Sequence, residues 1–520
     1  GAVVPGRYEV GCFENGSVVD AKLNGYVKVK QLRVTGTYNG TIDLNGYELG
    51  SVRNLVIYNG TILLSGNSYL RTWRDFYLYG GGTVTASGSG SRIKVRNNLH
   101  IWGTLTAPSS GSFSLLGGFN LYSSGTFNHN NGTVSMSPRW RGTTGAAIKI
   151  DAGPGTGRNF YNLTKSGNKN VTITTNDIKI ENNLTAWGVG KIRAQSNDIE
   201  IGGNLSFGNA NNLVPGTGTV EFNGTSAQTI DSKANFYKLT ISNSNVSLLR
   251  SANISNILRI RPGATFDING NNLTASTLVN NGNLQLSGNE TLSITTKDTD
   301  SGTITYDGTA TGLIYGNTYY NLALNTSGTI TLNSNLDVNG SLTITDGTLN
   351  TGNNDINVAG NWTNNDSFVS GTGKVTFDGA SVIVTGGTES SNDFYDVTLA
   401  GTSAAQSTNA IAIDNDFEIT SSGTWYTNCL VMNISGTSTV GSGSIATTLS
   451  PTLTFNPTDS STGFTSSSNL TLTFNTAMQN TDNSTLTDSN VDSLITLKDT
   501  NSSGSDIGFD ATINSEKKII

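Results

Sequence analysis

YNGTI at residues 38–42 returns as YNGTI at 58–62, and its echoes follow as GGGTV at 80–84, WGTL at 102–105 and SGTF at 124–127. The glycine of each Gly-Thr pair stands at 40, 60, 82, 103 and 125, so the steps are 20, 22, 21 and 22 residues. A step of about 20 residues, punctuated by Gly and filled with β-formers, is the length of one coil of a β-solenoid.

The columns behind the repeat agree with this reading. Two residues after each glycine stand Ile42, Ile62, Val84, Leu105 and Phe127; four after stand Leu44, Leu64, Ala86, Ala107 and His129. Each pair shares one parity and points to one side of an extended strand. A second strand precedes each glycine, with inward pairs Leu32/Val34, Leu55/Ile57, Phe76/Leu78, Leu99/Ile101 and Phe119/Leu121. A single coil cannot bury such a face; only its neighbours can.

The opposite parity carries Tyr58, Tyr79, Trp102 and Tyr122, with Val56, Tyr77, His100 and Asn120 beside them. Alternation sends these outward, as an aromatic ladder with a rung roughly every 4.8 Å. Three readings stay open: aromatics packed at a corner beneath a loop, an apolar stripe that marks a partner surface, or a platform for carbohydrate.

Composition points the same way. Of 520 residues only 13% are charged and 62 are Gly, against about 25% charged in ordinary globular chains. Asn, Thr, Ser and Gly favour turns and solvated strand faces over helices. No run approaches the ~20 apolar residues of a membrane span, so no transmembrane segment is expected. The opening GAVVPGRYEV fits a processed secreted protein and, equally, a designed one.

Cys12 and Cys429 lie roughly 20 coils apart, on the order of 90 Å at one strand spacing per coil, beyond the ~7 Å Cα reach of a disulfide. Buried free thiols or a bond between subunits remain. Charge is polarised. Residues 1–200 hold 20 Lys and Arg against 11 Asp and Glu, a net of +9; residues 201–520 hold 10 against 26, a net of −16. An elongated molecule with a basic head and an acidic tail suits head-to-tail self-association; drift of surface composition along the array is the other reading. The basic residues are scattered in sequence, which argues against nucleic acid.

From about residue 130 a longer period overlays the coils. GTV-type strands start at Gly132, Gly218, Gly302 and Gly373, each followed by an aromatic pair, FYNL at Phe160, FYKL at Phe236, YYNL at Tyr319 and FYDV at Phe394. Single-coil steps persist between Leu184 and Leu205 and between Leu342 and Trp362. The expected organisation is an N-terminal cap or edge segment at 1–30, a right-handed parallel β-solenoid at 31–440 of about 20 coils and roughly 100 Å, a linker at 441–450 and a β-sandwich at 451–520.

The phrases DINGNNLTA (267–275), INVAGNWTNNDSF (356–368), GTGKVTFDG (371–379) and NDFYDVTLAG (392–401) resemble large repetitive bacterial surface proteins of the right-handed parallel β-helix type. The segment from Pro451, with its Pro457 turn and LTLTFNTAM at 470–478, resembles the bacterial immunoglobulin-like module of S-layer and other surface proteins. That resemblance implies an extracellular or cell-surface location.

Parallel β-helices often host polysaccharide lyases and hydrolases, which need clustered carboxylates with nearby Arg, Lys or His. Arg92-Ile93-Lys94 matches one phrase of pectin-degrading families, but their Gly-His-Gly and adjacent Asp pair are missing. His129 falls in an inward column and reads as a packed residue. No enzyme is expected and no cofactor, except that Ca²⁺ is conceivable at Asp414, Asp416 and Glu418, which alternate on one strand, or near Asp298, Asp300 and Asp307; a solvated face is the favoured reading of both. The expected function is a structural subunit of an extracellular filament, sheath or S-layer, self-associating through solenoid faces and ends. The alternative is a glycan-binding adhesin. Tyr58, Tyr79, Trp102 and Tyr122 are the expected contact residues in both.

Overall fold

The computed structural model describes residues 6–14, 20–137, 148–153, 155–209, 212–233, 235–386, 393–400, 404–420 and 423–426, and the short strands Met432–Ile434, Ser438–Val440, Ser444–Thr447, Leu453–Phe455 and Leu472–Phe474. The described residues form strands, turns and loops, without helix. They make a parallel β-solenoid of about 18 turns, divided into two units: Gly1–Val279 with Ser293–Lys297, and Asn280–Leu292 with Asp298–Ile520.

In the first unit the repeat glycines set the coil length. Ile42 pairs with Ile62, Ile62 with Val84, Val84 with Leu105 and Leu105 with Phe127, all in parallel. Leu32, Leu55, Phe76, Leu99 and Phe119 form the second column. All of these are buried at 2% exposure or less. The glycines are demanded by this stacking. Gly60 has a positive φ of 77°, and a Cβ there would lie 2.7 Å from the Tyr38 ring. A Cβ at Gly82 would lie 2.8 Å from both Ile57 and Leu78.

The coils also have a third strand that alternation around Gly-Thr does not reveal, Val27–Val29, Glu48–Ser51, Tyr69–Thr72, Arg92–Val95 and Ser112–Leu115, and the GTV-type strand Thr133–Met136 continues it. It adds the buried column Leu49, Leu70, Ile93, Phe113 and Val134. Fully burying such a side chain contributes about 1.5–3 kcal/mol.

Corners are closed by polar side chains. Asn98 N–H donates to Asp75 Oδ1 at 3.0 Å, and Gly118 N–H donates to Asn98 Oδ1 at 2.9 Å. Asn162, Asn183 and Asn204 repeat the device, each Oδ1 accepting the backbone N–H that enters the next coil's strand. These N–H groups would otherwise go unpaired at a half-buried bend. The Asn-rich composition is therefore structural.

In the second unit the same rules hold. Leu342 pairs with Trp362, as their 20-residue spacing predicts, and Asn321 Oδ1, Ser341 Oγ and Asn361 Oδ1 form an equivalent corner ladder. The aromatic pairs of the longer period also have one role in both units: Phe160, Phe236, Tyr319 and Phe394 are all fully buried. Tyr306, Tyr315 and Tyr319 form a hydrogen-bonded cluster inside the second unit, with hydroxyls of Tyr306 and Tyr319 3.1 Å apart. Burial raises the Tyr306 phenol to about 12.

The immunoglobulin-like reading of 451–520 lies outside the described residues except for Leu453–Phe455 and Leu472–Phe474. Those two strands pair in parallel with Met432–Ile434 and Ser444–Thr447, in the manner of the solenoid. Cys429 also lies outside the described residues. Cys12 is free and exposed, correcting the buried-thiol expectation, because its strand Val10–Phe13 turns that parity away from the core.

One cation of the first unit is buried. Lys165 ends the strand Asn162–Lys165 pointing inward, 1% exposed, with Nζ donating to the Gly167 carbonyl at 3.2 Å. Burial lowers its ammonium from 10.5 to about 8. Between those values the unfolded chain holds the extra proton, so stability rises with pH there, and below about 8 the penalty is fully present. Lys165→Met is expected to stabilise the protein at neutral pH by about 1–3 kcal/mol. Its advantage should shrink between about pH 8 and about pH 10; denaturant midpoints of both proteins across that range check this.

Candidate functional site

The outward positions of the first unit's coils gather the expected aromatic residues. Tyr58 and Tyr79 occupy equivalent places on the long strands Leu55–Leu64 and Phe76–Ala86, just before each Gly-Thr. Parallel stacking then fixes the rest. Tyr58 and Tyr79 stack with centroids 4.4 Å apart and planes 2° apart; Tyr79 and Trp102 lie 5.0 Å and 8° apart; Trp102 and Tyr122 lie 3.9 Å and 5° apart. Tyr77 and His100 form a second stack at 4.9 Å and 4°. Tyr58 is 36% exposed, and the other rungs are half-buried. Each stacked pair contributes about 0.5–1.5 kcal/mol.

This geometry decides what the ladder offers. Internal rungs spend their faces on one another, so the ladder presents ring edges and phenol hydroxyls. Val56, expected outward, is buried at 7% exposure, since Arg33 and Tyr77 flank it in register. Beyond the last rung lies a shallow hollow of about 430 Å³ lined by Tyr122, Ser123, Asp151, Arg158 and Asn176 among others. Arg158 donates to the carbonyls of Leu121, Tyr122 and Ala152. Asp151 accepts from Thr175 and Asn176 at 3.1 and 2.8 Å.

Neither histidine is a ready base. His129 leaves the inward column because its strand ends at Asn128. Its Nδ1 accepts from Asn131 N–H at 3.0 Å, its Nε2 lies 3.0 Å from Glu181 Oε2, and its ring stacks on Tyr161. The Tyr122 hydroxyl lies 3.0 Å from His100 Nδ1, within hydrogen-bond reach.

The acidic trio is not one strand face. Asp414 and Asp416 stand in the corner after Ile411–Ile413, and only Glu418 lies on the strand Phe417–Ile419. At that corner the Asn415 side-chain amide and the Asp416 backbone N–H donate to Asp396 Oδ1 at 2.8 and 2.9 Å. Asp298 caps a turn, accepting from Asn280 N–H at 2.6 Å and from Asp300 N–H at 3.2 Å. Among the described residues no group of three or more His, Cys, Asp or Glu side chains is placed to hold a metal.

One feature escaped the sequence. The third strands bring Lys28, Arg71, Arg92, Lys94 and Arg96 to one face around Tyr69 and Trp73. Arg92, Lys94 and Arg96 alternate along one strand and the residue after it, whereas Lys28 and Arg71 come from earlier coils, and coiling brings them together. Compared with protein-family models, curated proteins and solved structures, the chain matches none.

Burial lowers the His100 pKa from its ordinary value, a shift that Asp75 partly opposes. The unfolded imidazole titrates near 6.5, so the unfolded chain gains the proton first as pH falls. Stability is therefore expected to drop below about pH 6.5. His100→Gln removes that component, and the wild-type minus variant difference in denaturant midpoint, followed from about pH 7.5 to about pH 5, measures it.

Proposed function

We propose that this chain is a structural subunit of an extracellular assembly, in which copies associate through the aromatic ladder of the first unit. The observation that carries the reading is the in-line stack of Tyr58, Tyr79, Trp102 and Tyr122. It fixes a preorganised row of ring edges with one rung per coil. Rigid rings lose little freedom when covered, so such a stripe suits a second rigid surface with the same period. Another copy of the chain supplies that period, and a heterologous contact staggered by whole coils keeps the rungs in step and propagates. The polarity between residues 1–200 and 201–520 adds a directional preference. A low charge content and solvated Thr, Ser and Asn faces support an extracellular setting.

Electron microscopy and sedimentation of the full chain test this. Ordered polymers are expected that grow with concentration, and Tyr58→Lys, which places a charge at the exposed rung, should disperse them while the chain stays folded, its stability reduced by no more than the about 0.5–1.5 kcal/mol of one lost stack. Single particles at every concentration would sink the proposal.

A glycan-binding adhesin is the second reading, favoured by the hollow beside Tyr122, where polar Asp151 and Asn176 side chains adjoin the terminal ring. Binding on a neutral-glycan array that disappears in Asp151→Asn is its expected signature; an array without signal removes it.

A further inference from the structure

The outward face of the third strands is a second surface, chemically unlike the ladder. In register across it run Lys28, Gly50, Arg71 and Lys94, and beside them Glu48, Tyr69 and Arg92. Trp73 and Arg96 follow directly on the strands Tyr69–Thr72 and Arg92–Val95. The Arg71 guanidinium lies 3.7 Å above the Trp73 ring centroid, with Lys28 Nζ at 4.6 Å and Arg96 at 5.4 Å; Arg92 lies 4.5 Å above Tyr69. Gly50 lies beneath this arrangement: the place of its missing Cβ is 3.5 Å from the Trp73 ring and 3.8 Å from the Lys28 stem, ordinary contact distances. On the next two coils the face turns neutral, with Ser112, Ser114, Thr133 and Ser135 outward, so the cations form a bounded patch.

Within this group of five cations Arg71 pairs with Glu48 at 3.5 Å. Arg71 and Lys94 stand directly opposite on adjacent strands, at about 4.8 Å strand spacing, an arrangement that is destabilising by itself. The rings offset part of that cost by cation–π attraction. Arg71 also meets Glu48, while Arg92 and Arg96 are exposed and carry N–H groups beyond their ring contacts. A guanidinium edge matches a carboxylate or sulfate with two parallel hydrogen bonds.

We propose that this face binds an acidic polysaccharide. A uronate polymer carries one carboxylate per sugar, at a spacing of the same order as the strand repeat, so successive anions meet successive coils. Charge complementarity selects the occupant, and the ring faces select against nucleic acid: Trp73 is covered by cations and offers little platform for a base. The inference is independent of the assembly reading, since it uses a different face.

Binding of polygalacturonate to the full chain, followed by calorimetry or biolayer interferometry, tests it. Binding is expected at about 0.05 M salt and should weaken steeply towards about 0.5 M. Neutral dextran should not bind. Arg71→Gln/Lys94→Gln should weaken binding at least about tenfold, worth about 1.4 kcal/mol, as should Arg92→Gln/Arg96→Gln if the first pair perturbs folding. Lys191→Gln/Arg193→Gln, elsewhere on the first unit, should leave it unchanged, and polymer formation should survive in every variant. No binding at low salt, equal losses in the control variant, or tighter binding of duplex DNA than of polygalacturonate overturns the proposal.

Discussion

Everything in this protein depends on the in-register parallel hydrogen-bond ladder between one coil and the next. In such a ladder each residue lies beside the residue one coil later, at one strand spacing, with its side chain on the same side. Any property that recurs at the coil length is therefore turned into a continuous column. Apolar residues become core columns, as from Ile42 to Phe127. Aromatic residues become a stack, and Asn and Asp at the corners become a chain of acceptors for the next backbone N–H. No separate explanation is needed for each; they are one constraint acting on different side chains.

That constraint explains how much was legible. Ile42, Ile62 and Val84 could be aligned from sequence because glycine marks the coil and alternation gives the face. The outward rings followed from the same parity. The third strand was hidden because its outward positions are occupied by Lys, Arg and Tyr, and its Gly-Thr signal emerges only at Gly132. The cation face was hidden for a related reason. Lys28, Arg71 and Lys94 are distant in the chain, and only the register of the third strand makes them neighbours.

The errors fall where alternation stops. Counting places His129 inward, but the strand ends one residue earlier and the side chain turns to Glu181. Alternation puts Asp414, Asp416 and Glu418 along one strand, yet a corner intervenes, where Asp396 accepts from the Asn415 amide and the Asp416 backbone N–H. Period-two reasoning holds inside a strand and fails at its boundary, and coils with strands of three or four residues have boundaries everywhere. Asn-rich corners are where such counting should be suspended.

The two outward surfaces follow one further rule. A parallel stack spends the faces of its planar groups internally and leaves their edges to solvent. Along the ladder, Tyr79 and Trp102 give their faces to neighbours, so a partner meets ring edges and hydroxyls, a surface suited to close packing against another rigid face. On the opposite chemistry, Trp73 and Tyr69 give their faces to guanidinium groups, so a partner meets N–H edges and positive charge, a surface suited to repeating anions. Both surfaces inherit the period of the coil, and a partner gains from contact with several coils at once only if it repeats at a commensurate spacing. A solitary small molecule cannot use that multiplicity. Under both proposals the selectivity is therefore for extended partners, with the identity of the edge, phenolic or cationic, deciding which kind.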